Sequence, residues 1–212
     1  MREPINVSGM VLSASPVGEY DKRVVILTRE LGKITAFARG ARRMKSPLMA
    51  VSNPFVFGEF QVYEGRDSYT LSGANIKEYF LDLAQMQPGV YYGFYFLELA
   101  EYFGQEGNDE TQMLNLLYVT MNAIRRGKQD LRLIRCIFEL RTITISGEAP
   151  QMFSCMECGT KENLIVFSLR DSAIYCPNCG KPSEIHGRCS RAPCWHAAIS
   201  LRHRSRSCMV LP

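Results

Sequence analysis

The sequence predicts an α+β protein of several domains, and three observations support this. Short segments in which apolar and polar residues alternate, separated by turn signals, fill the first 80 residues. Beyond Leu81 the apolar period changes toward 3.6 residues, which is typical of helices. Two C-x-x-C pairs then follow. We therefore expect a small β-barrel at residues 1–80, a central helical domain at 81–150, an inserted four-cysteine module at 151–180 and an atypical basic tail at 181–212.

The composition is that of an ordinary globular chain. The 212 residues are 46% hydrophobic and 22% charged, with 25 Lys and Arg against 21 Asp and Glu. These values exclude disordered and collagenous classes. Residues 1–6 contain no apolar signal core, and the most apolar window, residues 90–97, is too short to span a bilayer. We expect a cytoplasmic protein without a membrane partner.

Five strands are predicted in the first 80 residues. Turns that contain Gly or Pro separate most of them, and most of the gaps show no helical period. Five strands at this spacing favour a barrel of the oligonucleotide-binding (OB) type, with an SH3-like barrel or a small sandwich as alternatives. The predicted strands are Val7–Ser15, Arg23–Thr28, Lys33–Ala38, Phe55–Tyr63 and Tyr69–Tyr79.

Positive charge is concentrated on the second and third predicted strands and on the segment that follows them. Residues 33–45 contain five Lys or Arg and no acidic residue. This side of an OB barrel binds nucleic acid, with cations on the phosphates and aromatic rings on the bases. A solvated charged surface is the alternative interpretation. The predicted DNA-contacting residues are Lys22, Arg23, Lys33, Arg39, Arg42, Arg43 and Lys45.

Three helices are predicted between residues 81 and 150. The first covers residues 88–103, and we interpret its aromatic face as core rather than as a base-stacking platform. Asp109 caps the second helix, which ends at Gly127. Asp130 opens the third, which ends near Gly147. The aromatic face comprises Tyr91, Tyr92, Tyr95, Phe96, Leu99 and Tyr102.

Four cysteines form the strongest chemical pattern in the chain. The motifs CMECG and CPNCG are separated by seventeen residues, of which 164–168 and 173–175 are predicted to form a hairpin. Such a hairpin brings two thiolate pairs into the tetrahedral arrangement that zinc accepts. A redox pair would need one C-x-x-C in a βαβ context, and a catalytic zinc would need an open coordination position. We therefore predict one structural Zn²⁺ held by Cys155, Cys158, Cys176 and Cys179.

The segment GEYDKRVVILTRELGKITAFARGARRMKS, residues 18–46, resembles the start of the bacterial RecO family of DNA repair and recombination mediators. The resemblance continues in order through residues 138–140, residues 147–150 and the two cysteine pairs, and it covers about residues 5–180. It implies an OB barrel, a helical domain and, in many members, a zinc module. By position, the four cysteines match the zinc ligands of the family, and residues 33–45 match its DNA-contacting region.

The resemblance also implies a function and partners. Members bind single-stranded and double-stranded DNA (ssDNA and dsDNA) and anneal complementary strands coated with single-strand-binding protein (SSB). They cooperate with RecR to load RecA, which places the protein at the nucleoid. No catalytic residue is transferred, because the family is not enzymatic. The implied contacts for the acidic C-terminal peptide of SSB are Arg132 and Arg135, beside other cations of the helical domain. A solvated helix face whose charge complements the dipole is the alternative.

The C-terminal tail differs in composition from the rest of the chain. Residues 181–212 hold all three His, the single Trp and five Arg, which departs from the family pattern and indicates an altered or divergent C-terminus. The competing function is a zinc-ribbon adaptor that binds proteins and not DNA. An enzyme is not expected, because the sequence has no nucleophile elbow, no carboxylate cluster at metal-ligand spacing and no phosphate-binding Gly loop.

Overall fold

In the computed structural model, which describes residues 3–168 and 170–180, five strands close into a barrel. The strand order around the barrel is β1-β2-β3-β5-β4. β3 and β5 pair in parallel, whereas the other neighbouring strands pair antiparallel. This confirms the predicted OB barrel. The strands are β1 (Ile5–Val17), β2 (Asp21–Thr28), β3 (Gly32–Ala38), β4 (Phe57–Glu64) and β5 (Tyr69–Glu78).

The first strand closes the barrel because it is long and bent. Its first half pairs with β4 and its second half with β2, and the register shifts between Val11 and Ser13. A bulge of this kind bends a strand and increases its twist. Side chains of alternating residues, such as Ile34, Ala36 and Ala38 on β3, point inward and form the barrel core.

Several strand bounds differ from the predicted ones by one or two residues, and the later start of β4 has a local reason. β4 begins at Phe57, because Phe55 has a left-handed backbone (φ 70°) that cannot continue a strand. The stretch between β3 and β4 contains the short helix α1 (Leu48–Val51). The tail at residues 181–212 lies outside the described residues.

Three longer helices follow the barrel, as the sequence predicts. After a 3₁₀ turn at Leu81–Gln85 come α2 (Gly89–Phe103), α3 (Thr111–Arg126) and α4 (Leu131–Ile145). The Asp109 carboxylate accepts a hydrogen bond from the amide of Thr111 at 3.0 Å, and that of Asp130 accepts one from Arg132 at 2.7 Å. These bonds satisfy free amides at helix starts, which is why both aspartates mark them.

The buried face of α2 differs from the predicted one. Phe96 and Leu97 are buried, as is Gly93, whose missing side chain leaves room for the ring of Phe55. Tyr91 and Tyr102 are 64% and 81% exposed. The interpretation of the whole aromatic face as core is therefore wrong for these two tyrosines. The buried side of α2 thus combines small residues, which let neighbouring side chains approach, with the bulky Phe96 and Leu97.

The described chain divides into two compact units, Met1–Phe138 and the residues from Glu139 onward. In the first unit the barrel packs against the helices: the ring centroids of Phe57 and Tyr118 are 4.7 Å apart, as are those of Phe55 and Phe94. The four-cysteine module belongs to the second unit. Among residues 3–168 and 170–180, no helix is long and apolar enough to cross a membrane.

An ion pair between the end of β5 and α3 makes the stability of the first unit pH-dependent. Arg125 Nη1 donates to Glu78 Oε2 at 3.0 Å, and the amides of Tyr79 and Phe80 donate to Oε1. Partial burial by itself would raise the pKa of Glu78, but these hydrogen bonds and the charge of Arg125 outweigh it, so the pKa lies below its usual value.

Glu78→Gln is therefore expected to lower the free energy of unfolding by about 1 kcal/mol at pH 7. A carboxylate whose pKa is lower in the folded state contributes stability above its unfolded pKa and loses it as the pH falls through the folded pKa. The difference from the wild type should shrink as the pH falls from 7 through the lowered folded-state pKa, as measured by urea unfolding at several pH values. Glu59→Gln is the control, because Glu59 forms an exposed pair with Lys77. A difference for Glu78→Gln that is constant with pH contradicts the prediction.

Candidate DNA-binding surface and metal centre

Positive side chains meet an exposed tyrosine at one end of the barrel. The turn at residues 18–20 joins β1 to β2, and residues 39–47 follow β3. The guanidinium of Arg43 lies over the ring of Tyr20, 4.9 Å from its centroid. Arg42 and Lys22 lie beside them. We call Tyr20, Lys22, Arg42 and Arg43 the cationic patch.

Hydrogen bonds fasten the two segments of the cationic patch together. The amide of Arg42 donates to the carbonyl of Tyr20 at 2.8 Å, and Arg42 Nη1 donates to the carbonyl of Gly18 at 3.2 Å. The amide of Gly40 donates to Asp21 Oδ1 at 2.7 Å. The backbone of Arg42 and Arg43 is thus fixed relative to the turn that contains Tyr20.

Lys22 is the least exposed cation of the cationic patch. It is in register with Ala38, whose side chain faces the barrel core, and its Nζ donates to Asn53 Oδ1 at 2.7 Å. Partial burial, and then repulsion from Arg42, lower the pKa of its ammonium. Such a crowded pair of cations gains free energy when an anion approaches.

The other predicted DNA-contacting residues lie at different distances from the cationic patch. Arg39 and Lys45 are on the segment that carries Arg42 and Arg43. Arg23 is exposed on β2 and pairs across the strands with Phe37. Lys33 lies at the other end of β3, about 20 Å away by strand geometry. Its Nζ donates to the carbonyl of Glu101 in α2 at 2.7 Å. The structure therefore separates Lys33 from the other six.

Two exposed side chains of this surface were not singled out by the sequence reasoning. Tyr20 is 43% exposed and Met44 is 89% exposed. The signal for Tyr20 was present, because an aromatic residue stands two positions before Lys22 in a turn. Phe55, which lies near the basic run in sequence, is buried and offers no surface for a base.

In the helical part, Arg125 forms an ion pair, whereas Arg132 and Arg135 are exposed at the surface. Arg125 is held by Glu78 and lies over the ring of Phe80, 5.2 Å from its centroid. Arg132 is exposed, and the guanidinium of Arg135 lies 5.4 Å from the ring centroid of Tyr95. Arg132 and Arg135, the predicted contacts for an acidic peptide, thus lie near the start of α4 beside an aromatic side chain.

The four cysteines of the second unit lie together. The Sγ atoms of Cys155, Cys158, Cys176 and Cys179 are all within 4.8 Å of one another, and those of Cys158 and Cys176 are 3.7 Å apart. Four thiolates bound to zinc at about 2.3 Å in a tetrahedron have Sγ atoms about 3.8 Å apart. The spacing therefore fits a zinc site with four cysteine ligands.

Two equivalent turns present these sulfurs. The amide of Gly159 donates to the carbonyl of Cys155, and the amide of Gly180 donates to that of Cys176, each at 2.9 Å. The strands β6 (Val166–Ser168) and β7 (Ala173–Tyr175) form the predicted hairpin between the turns. The first hairpin strand starts two residues later than expected.

The thiols are too crowded to ionise together without a cation. Amide hydrogen bonds, foremost from Cys158, lower the pKa of Cys155 to about 6. The neighbouring thiols, foremost Cys176, raise the pKa of Cys179 to about 12. A divalent cation among them removes this repulsion, because thiolates, not thiols, bind metal. Tetrahedral sets of four thiolates hold zinc or iron in proteins, and the spacing here is consistent with zinc.

Together these features define an OB-fold protein with a helical part and a four-cysteine cluster that could hold a metal ion. The family model "Recombination protein O N terminal" matches residues 1–80, and "Recombination protein O C terminal" matches residues 89–186. The chain therefore belongs to the RecO family, whose members are DNA repair and recombination mediators.

Curated relatives agree with this assignment. The DNA repair protein RecO of Alkaliphilus metalliredigens is 36% identical over 176 residues, which cover 82% of this chain and 72% of the relative. RecO of Caldicellulosiruptor saccharolyticus is 32% identical over 85% of this chain and 74% of the relative. RecO of Bacillus pumilus is 32% identical over 82% of this chain and 68% of the relative.

Proposed function

We propose that this protein binds ssDNA and dsDNA through the cationic patch and its exposed neighbours, and anneals complementary strands. The observation that carries the proposal is the cluster of three cations around an exposed tyrosine on an OB barrel. Cations on such a surface hold the phosphate backbone, and the release of counterions drives binding. Family membership supports the same role.

Annealing of this kind needs no catalytic group. A cationic surface that holds two strands lowers their mutual repulsion and raises their local concentration. We therefore propose a mediator that is not an enzyme, in which the four-cysteine site holds one structural Zn²⁺. The partners that follow from the family role are RecR and SSB, with RecA loaded indirectly onto SSB-coated DNA.

The experiment that tests this function is an annealing assay. Complementary fluorescent oligonucleotides are coated with SSB from the same organism, and the annealing rate is measured with and without the protein at several salt concentrations. We expect acceleration that weakens as salt increases. A folded, zinc-containing protein that binds neither ssDNA nor dsDNA would favour the competing zinc-ribbon adaptor.

Arg42→Gln with Arg43→Gln is expected to weaken ssDNA binding and to flatten its salt dependence. Each lost phosphate contact changes the slope of log affinity against log salt by about 0.7, so the slope should become shallower by about 1.4. Fluorescence anisotropy with a labelled oligonucleotide measures this. The matched control is Arg126→Gln with Lys128→Gln, which removes two exposed charges from the helical part. Equal slopes for the two double variants would contradict the assignment.

We further propose that Arg132 and Arg135 bind the acidic, apolar C-terminal peptide of SSB, with Tyr95 beside them. Reversal of both charges to Glu should weaken binding of the labelled peptide about tenfold, which corresponds to ~1.4 kcal/mol. The control is Arg66→Glu with Lys77→Glu, a double reversal on the barrel. If both variants bind the peptide as the wild type does, this contact is ruled out.

A further inference from the structure

The stacked pair of Tyr20 and Arg43 has a geometry that phosphate binding alone does not require. The guanidinium lies over the ring at 4.9 Å, and yet the tyrosine remains 43% exposed. Cation–π attraction orders the arginine against the ring, but phosphate binding by itself does not require an exposed ring at this position. A ring and a guanidinium that lie together at the surface offer flat, polarisable area, which is the property that unpaired bases bind.

The pair is also held in place before any ligand binds. Tyr20 accepts the amide of Arg42 through its carbonyl, and Asp21 accepts the amide of Gly40. These bonds join the turn of the tyrosine to the segment of the arginine. Because the groups are already ordered, binding costs less conformational entropy than it would on two loose loops.

The neighbouring cations set the position of a bound strand. Lys22 and Arg42 lie next to the pair, and partial burial, followed by repulsion from Arg42, lowers the pKa of Lys22. A phosphate held by these two cations places the attached nucleotide beside the ring of Tyr20. In a duplex the base faces are already stacked on one another, so they are not available to the ring of Tyr20.

We propose that Tyr20, backed by Arg43, is a base-stacking platform that makes the barrel prefer unpaired nucleotides to duplex. This inference rests on the proposed DNA binding and specifies its ligand as single strands with accessible bases. Duplex DNA then binds the same surface through its phosphates alone. The platform would therefore bind single strands before they anneal and release them once their bases pair in a duplex.

The test compares the full chain on two single strands that differ only in their bases. One probe is a 20-nucleotide oligothymidine, and the other has the same backbone with abasic residues. The wild type should bind oligothymidine more tightly. Tyr20→Ala should weaken oligothymidine binding about 5- to 150-fold and leave abasic binding unchanged. Tyr20→Phe should restore the preference for oligothymidine over the abasic probe. The wild type and Tyr20→Ala should bind a duplex of the same length equally.

The controls separate stacking from folding and from charge. Tyr102→Ala makes the same change at an exposed tyrosine on α2 and should alter neither affinity. The comparison of the two probes with the wild-type protein does not depend on whether any variant folds. Equal wild-type affinity for both probes would overturn the inference, as would equal losses for Tyr20→Ala on both. If the wild type bound neither probe nor duplex, the proposed function itself would fail, and the inference with it.

Discussion

Cys158→Ser is expected to abolish stoichiometric zinc binding and to unfold the segment around residues 151–180. The two hairpin strands have three residues each, and such a small unit has too little core to stay folded unaided. Binding of Zn²⁺ by four thiolates contributes on the order of 10 kcal/mol, which is folding free energy for a unit of this size. The measurements are zinc content per chain and hydrogen exchange of the segment.

Cys136→Ser is the matched control. Cys136 lies on α4 and is not part of the cysteine cluster, so its loss should leave the zinc content unchanged. A metal chelator added to the wild type should reproduce the hydrogen exchange of Cys158→Ser. The zinc assignment would be rejected if the purified wild type contained no zinc and its thiols all reacted rapidly with a thiol reagent.

The features that could be predicted from sequence are those that depend on neighbouring residues. Two C-x-x-C turns and a hairpin are local, so the cysteine spacing sufficed to predict the cluster. Alternation identified β3, and a continuous apolar run identified β2, because one side of β3 and both sides of the second half of β2 are buried. Asp109 and Asp130 were recognised as helix starts, because the hydrogen bond that each carboxylate accepts comes from an amide two residues away.

The features that could not be predicted depend on contacts between distant residues. The basic run places Lys33 and Arg43 in one group, but they stand at opposite ends of β3, and α2 engages only Lys33. Tyr20 becomes part of the surface only when its turn meets the segment after β3. The buried side of α2 likewise depends on Phe55, which reaches it from the barrel across Gly93.

We expect Gly32→Ala to destabilise the first unit more than a Gly→Ala replacement in any other turn of the barrel. Gly32 begins β3 with φ 68°, and a Cβ there would lie 2.3 Å from the carbonyl oxygen of Gln105. Lys33 donates its amide to that same oxygen at 2.8 Å, so the chain cannot move away without losing the bond. Left-handed strain and overpacking together cost about 3 kcal/mol. Thermal and urea unfolding measure the loss.

Gly107→Ala separates the two contributions to this cost. Gly107 has nearly the same backbone conformation, φ 73°, but nothing lies within 4 Å of an added Cβ. Its replacement should cost only the left-handed strain, about 1 kcal/mol. The excess for Gly32→Ala then reports how tightly the β2–β3 turn is held against residues 105–108. Equal losses for the two variants would show that this contact yields readily, and that backbone conformation alone selects glycine at position 32.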